Sequence, residues 1–225
     1  TVEWVKGGYV DYIAPQLYWS TQLAAQDYDV LAEWWAKDVC EHFSNLLPNG
    51  KKVHFFSSQA AYHAYDGYRG YDDGVLEIKR KIESNRANLS SGYTGSVFYN
   101  TSAYQKMYSE LAATHFQYKA LPPAMDWKPA ETLTKPTHLT LTGTTLSWTH
   151  SKAERFTVYV FPQGVNVSSA IENPAYLQGI VWQKSFDLSH IQNLNDQNIA
   201  VCAYDRYGNE YEPALYTEGA VSTDI

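Results

Sequence analysis

The first 119 residues alternate two hydrophobic patterns. Val10-Asp11-Tyr12-Ile13-Ala14-Pro15-Gln16-Leu17-Tyr18-Trp19 is a β-branched and aromatic run that suits a strand. The stretch 28–43 then sets Leu31, Trp34, Trp35 and Val39 at helical spacing. Leu47-Pro48-Asn49-Gly50 stops that helix, and Lys52-Val53-His54-Phe55-Phe56 makes a second strand. A loop rich in Tyr, Gly and Asp fills 62–74. The spacing next predicts a helix over 75–89, with Leu76, Ile78, Ile82 and Leu89 inward. Gly95-Ser96-Val97-Phe98-Tyr99 is a third strand. A third helix is expected over 102–116, with Tyr104, Met107, Tyr108 and Leu111 inward. The order βαβαβα predicts parallel strands with helices outside.

The grammar changes after residue 119. Four of the nine prolines, Pro122, Pro123, Pro129 and Pro136, fall in 120–136, which predicts a linker or interdomain strap. Beyond it lie short alternating runs at 137–141, 145–148, 156–161, 181–187, 199–204 and 214–218, with no convincing helix. Thr142-Gly143, Pro162-Gln163-Gly164 and Tyr207-Gly208-Asn209 supply turns between them. This pattern predicts a β-sandwich. The expected organisation is therefore α/β followed by all-β: 1–119, a linker at 120–136, and a sandwich at 137–225.

Composition narrows the function classes. The chain has 225 residues, 44% hydrophobic and 18% charged, as an ordinary globular protein of one large or two smaller domains does. The net charge of -7 argues against a nucleic-acid backbone or an anionic membrane as partner. No apolar run is long enough to predict a transmembrane segment, and no signal-peptide pattern lies in the chain. Residues 120–225 carry 6 Lys/Arg against 11 Asp/Glu, so most of the negative charge sits in the second half. Cys40 and Cys202 are too few and too far apart for a disulfide framework or a metal site, and read as buried free thiols. Three glycosylation sequons, at Asn88, Asn100 and Asn166, matter only in a eukaryotic secretory host.

Candidate chemistry collects where the three strands end. Sites of parallel α/β barrels sit at the C-terminal ends of strands. Gln16, Tyr18 and Trp19, then Gln59 and Tyr62, then Asn100 occupy those ends here. Amides hydrogen-bond in both directions, and flat aromatic faces stack on the apolar faces of sugar rings. One aromatic at a strand end is ordinarily core; all three ends together predict a binding surface. Paired carboxylates, the signature of glycoside hydrolysis, are missing from these ends. Asp66, Asp72 and Asp73 lie in the following loop and are within reach of a pocket, although aspartates beside glycine ordinarily form turns. Asp66 is taken as a further candidate binding residue. No histidine pair has metal-ligand spacing, Cys40 has no histidine partner, and no glycine loop suits a phosphate. No metal and no cofactor are expected.

At this point the chain resembles a known family. The run from Val10 to Ser20 resembles the sixth-strand motif of the glycosyl-hydrolase-like family related to family 10, bacterial exported or surface proteins common in gut Bacteroides. Phe56-Ser57-Ser58-Gln59-Ala60-Ala61-Tyr62 is similar to that family's seventh-strand motif, and Gly95-Ser96-Val97-Phe98-Tyr99-Asn100 to its eighth. Leu121-Pro122-Pro123-Ala124-Met125-Asp126-Trp127 looks like its Pro-rich barrel exit. Leu146-Ser147-Trp148, Phe156-Thr157-Val158-Tyr159-Val160 and Ala203-Tyr204-Asp205-Arg206-Tyr207-Gly208-Asn209-Glu210 are similar to strands of a fibronectin type III module.

The resemblance implies the last three βα units of a TIM-like (β/α)8 barrel plus that module. It implies a fragment of a glycoside hydrolase-like protein acting on polysaccharide. The fragment itself would be inactive, because the acid/base residue would lie on an earlier strand. Gln59 stands where family 10 xylanases carry a nucleophilic glutamate, and an amide cannot attack. The alternative is a non-catalytic carbohydrate-binding or surface-adhesion protein. The resemblance also implies export to the periplasm or cell surface, with a lipid anchor on an N-terminal part outside this chain. Three parallel strands alone leave open edges, so self-association or pairing with an upstream barrel half is expected. The intact protein from its native cells is expected to have a mass well above 25.5 kDa, measured by mass spectrometry; a mass of 25.5 kDa would mean that the cell makes a half-barrel, with binding or dimerisation in place of catalysis.

Overall fold

The computed structural model describes residues 1–88, 92–130 and 132–216. Leu89, the Leu89-Ser90 part of the first sequon, and positions 217–218 of the last expected strand lie outside the described residues. The chain divides into two compact units, Thr1–Gln117 and Tyr118–Ile225.

The first unit opens with a short helix, α1 (Val2–Lys6), and a two-residue strand, β1 (Tyr12–Ile13). Helix α2 (Tyr28–Glu33) is capped by Asp27, whose carboxylate accepts from the Asp29 and Val30 amides. It runs on through a π-helical stretch, Trp34–Glu41, into α3 (His42–Ser44). Strand β2 (His54–Ala60), helix α4 (Val75–Ala87), strand β3 (Tyr93–Tyr99) and helix α5 (Thr101–Thr114) follow. β1 and β3 both pair in parallel with the central β2.

The burial stripes differ from the expected ones. Along 28–43 the buried residues are Tyr28, Ala32, Ala36, Val39 and Cys40, while Trp34 is exposed. On α4 Leu76 is exposed, and the inward face carries Glu77, Lys81 and Asn85 beside Ile78 and Ile82. On α5 Tyr108 is exposed, while Ala103, Met107 and Leu111 are buried. Small residues let the helices approach the sheet closely, so bulky aromatics that fit the period are displaced to its margins.

Strand alternation separates two faces of this sheet. Ile13, Phe55 and Tyr93 pack with Tyr28, Ala32, Ala36 and Val39 of the helical layer. On the opposite face the outer strands are exposed, Tyr12 at 57% and Tyr99 at 56% with Val97 beside them, while Ser58 and Ala60 of the central β2 are buried. Tyr12 and Phe56 meet edge to face there, 5.7 Å apart.

Among the described residues the second unit has seven strands: β4 (Thr137–Thr142), β5 (Thr145–Thr149), β6 (Arg155–Pro162), β7 (Leu177–Val181), β8 (Ser185–Asp187), β9 (Gln197–Tyr204) and β10 (Ala214–Tyr216). They form two antiparallel sheets, β10-β9-β6-β7 and β4-β5-β8. The run 181–187, expected as one strand, is broken at 182–184, so β7 and β8 belong to different sheets. A short helix, α6 (Val167–Ile171), stands where none was expected, nucleated by Asn166 capping the Ser168 amide.

Leu146, Trp148, Phe156, Val158, Leu188, Ile199 and Val201 come from both sheets and share one core. The stretch 120–136 lies within this unit rather than free of it. Leu121 packs with Tyr159 and Phe161, Leu133 joins the main core, and the Met125 amide donates to the Tyr207 carbonyl at 2.8 Å.

Both cysteines are buried and free. Burial pushes each thiol up to about 12, which keeps it protonated and unreactive. Leu146 is fully buried. Leu146→Ala is expected to lose about 2–5 kcal/mol of stability, whereas Leu215→Ala, on an exposed position, changes it by less than about 0.5 kcal/mol; denaturant melts read both.

Candidate functional site

The candidate residues follow from how each strand ends. β1 is prolonged by a parallel bridge between Gln16 and Ser58, and the Leu17 amide donates to the Ser58 carbonyl at 2.9 Å. This extension delivers Tyr18 beside the end of β2. β2 passes directly into a tight 3-10 turn, Ala61–Ala64, which carries Tyr62. Tyr99 is the last residue of β3. The three phenol rings form a triangle: Tyr18 to Tyr62 at 6.2 Å, Tyr18 to Tyr99 at 6.4 Å, and Tyr62 to Tyr99 at 6.0 Å. Burial, helped by the neighbouring phenols and Asp66, pushes the Tyr62 hydroxyl above its ordinary range, so it remains a proton donor.

The expected site residues do not all meet at this triangle. Gln16 is exposed, and its amide donates to the Tyr18 hydroxyl at 3.5 Å. Trp19 is half-buried and has no place in the Tyr18–Tyr62–Tyr99 ring set. Gln59 is fully buried. It donates to Ser96 Oγ at 2.9 Å, and its Oε1 has no hydrogen-bond partner among the described residues. It shares a strand face with Ser57, which contacts Tyr28 of the helical layer at 2.6 Å, so it points behind the sheet.

Asn100 caps α5 by accepting from the Ala103 amide at 3.0 Å and from Ser102 Oγ at 2.6 Å. Asp66 is exposed and lies 2.8 Å from His63 Nδ1, whose ring stacks on Tyr68 at 3.7 Å. Asp72 is exposed, and Asp73 pairs with Arg80 at 2.7 Å. Among the described residues no group of His, Cys, Asp and Glu is arranged to hold a metal ion.

Two residues behind the triangle were not among the expected ones. Glu77 and Lys81 sit one turn apart on α4 and both are fully buried. Glu77 accepts from the Thr21 amide at 2.6 Å, from Thr21 Oγ1 at 3.1 Å and from Gln22 Nε2 at 3.5 Å. Lys81 donates to the Tyr71 hydroxyl, which in turn donates to the Tyr18 carbonyl at 2.9 Å. The ammonium also lies 4.6 Å from the Tyr28 ring and 4.7 Å from the Tyr71 ring.

The loop that presents Tyr18 and Trp19 is thus tied down on both sides. Gly70 tightens it further: its φ of +82° suits glycine, and a Cβ there would stand 2.2 Å from Ser20 Oγ. The signal was present as Glu77, Lys81 and Asn85, polar residues every four positions along a helix read only for its apolar ones.

Residues 1–62 are similar to the family model Glycosyl hydrolase-like 10. Glycosyl hydrolase YngK of Bacillus subtilis (strain 168) is 37% identical over 86 residues, 38% of this chain and 15% of that protein. Glycosyl hydrolase DigH of Escherichia coli (strain K12) is 31% identical over 117 residues, 52% of this chain and 25% of that protein. The match therefore spans a quarter or less of these relatives. No solved structure matches the chain. No helix among the described residues is long and apolar enough to cross a membrane.

Lys81 gives this architecture a pH signature. Burial lowers its ammonium from 10.5 to about 7, against the opposing pull of Glu77. Between about pH 7 and 10.5 the unfolded chain therefore binds more protons than the folded one, so stability rises with pH in that window. Urea unfolding at about pH 6.5, 8 and 9.5 is expected to show wild type gaining stability relative to Lys81→Met. A constant difference across those pH values would refute the burial argument.

Proposed function

We propose that the first unit is the last three βα units of a (β/α)8 barrel, part of a glycoside hydrolase-like protein that acts on polysaccharide. The triangle of Tyr18, Tyr62 and Tyr99 carries this reading, because three consecutive strand ends converge on one aromatic surface. In such a barrel the strand ends line the substrate cleft. The rings offer stacking faces, and Gln16 and the tyrosine hydroxyls offer donors and acceptors for sugar hydroxyls. Trp19, Asn100 and Asp66 belong to the margin of the cleft. Gln59 supports the strand end from behind, through Ser96.

The exposed apolar face of Tyr12, Val97 and Tyr99 supports the barrel. In a closed barrel that face points inward and further strands cover it, whereas two open edges invite pairing. The upstream barrel half is the proposed partner, with self-association as the substitute when it is absent. The second unit is proposed as a fibronectin type III-like module, since its two sheets share one core and carry antiparallel strands throughout. Export to the periplasm or cell surface goes with a polysaccharide substrate.

Catalysis by this segment alone is not part of the proposal. Hydrolysis with the usual geometry needs two carboxyl groups about 5–10 Å apart flanking the bond. Asp66, nearest in sequence to the triangle, is engaged by His63. In titrations of the chain with oligosaccharides, Tyr62→Ala is expected to weaken binding roughly tenfold, with no hydrolysis by either protein. Hydrolysis by the 225-residue chain, lost in Asp66→Asn, would overturn the inactive-segment reading. Equal binding by wild type and Tyr62→Ala would overturn the site.

A further inference from the structure

The second unit holds a cleft of about 300 Å³ that the sugar surface does not use. Arg155 opens β6 and stands opposite Tyr204 of β9 in the strand ladder. Its guanidinium lies 5.1 Å from the Trp182 ring and 5.7 Å from the Tyr204 ring. A guanidinium stacked by its faces keeps its N–H edges free for a planar acceptor. No carboxylate among the described residues forms an ion pair with Arg155. Arg206 also lines the cleft, 4.8 Å from the Tyr207 ring, and donates to the Tyr207 hydroxyl at 2.7 Å.

Several observations converge here. Residues 120–225 contain only two arginines, and both line this one cleft in a half where acids outnumber bases 11 to 6. Tyr204 is nearly fully buried, lines the cleft, and its hydroxyl has no hydrogen-bond partner among the described residues. Two acids also reach the walls. Asp205 is consumed by its own turn, accepting from the Tyr207 amide at 2.8 Å, the Asn209 amide at 2.9 Å and Asn209 Nδ2 at 2.8 Å. Glu154 is exposed at the margin.

We propose that this cleft binds an oxyanion, the carboxylate of an acidic sugar or a phosphate group, held by Arg155 and Arg206. The paired planar donors suit a group with two adjacent oxygens. Such a site would let the second unit contact charged residues of a glycan while the first unit takes the ring faces.

Calorimetric titration of the full chain with a galacturonate oligomer, a galactose oligomer of equal length and inorganic phosphate tests this. The expected result is binding of one or both anionic probes, none of the neutral oligomer at this cleft, and affinity that falls with salt. Which anion binds tells the acidic sugar from the phosphate. Arg155→Gln and Arg206→Gln are each expected to weaken anion binding roughly tenfold, and Arg206→Gln decides if the first variant does not fold. Both arginine variants are expected to leave binding of the neutral oligomer to the first unit unchanged, so failure of the first-unit surface and failure of this cleft are separable. Binding of neither anion, or anion binding unaltered in both arginine variants, would overturn the proposal.

Discussion

The first unit depends on a lysine placed where lysines are rarely found. Lys81 is fully buried between the rings of Tyr28 and Tyr71, and burying an ammonium costs several kcal/mol unless it is compensated. Compensation comes from the Tyr71 hydroxyl, from two aromatic faces, and from Glu77 one turn away. The same groups fix the loop after the first strand. Tyr71 holds the Tyr18 carbonyl, and Glu77 holds Thr21 and Gln22. An apolar residue at position 81 would fill the space but would leave Tyr71 without its donor. The aromatic triangle therefore rests on a buried polar cluster rather than on the loop's own rigidity.

Behind the sheet the same principle repeats. Tyr28, Ser57, Asn85, Ser96 and Gln59 form a continuous set of hydrogen bonds between the helices and the strands. Buried polar groups joined in this way fix one register, because any slip leaves several of them unpaired. The second unit works differently. Its core is almost wholly apolar and drawn from both sheets, and half-buried Glu210 accepts from the Thr157 hydroxyl and, at 2.8 Å, from the Tyr159 hydroxyl on the other face of β6. Burial raises the Glu210 carboxyl above its ordinary range, against the opposing pull of the two hydroxyls that donate to it.

Much was legible along the chain. The three strands around Ile13, Phe55 and Val97, the helices between them, and six of the seven strands of the second half stand where the hydrophobic patterns put them. The strand ends carrying Tyr18 and Tyr62 were legible as candidate surface. What failed was the orientation of individual side chains. Trp34, Leu76 and Tyr108 fit a helical period but face solvent, because a period leaves the phase of a stripe open when large residues occur on two sides. Gln59 was placed in the cleft because it sits near a strand end, yet alternation turns it toward the helices.

By itself, then, the sequence determined most of the elements, their order, and the change from parallel α/β to antiparallel β, because these follow from local periodicity and turn chemistry. The similarity of residues 1–62 to the Glycosyl hydrolase-like 10 model was also present there. Only the tertiary structure decided which side chains meet. Tyr18, Tyr62 and Tyr99 are separated by 44 and then 37 positions, and Arg155 and Tyr204 by 49, yet each set converges. Strand pairing sets such distances through register, and register is a long-range property that no local pattern encodes.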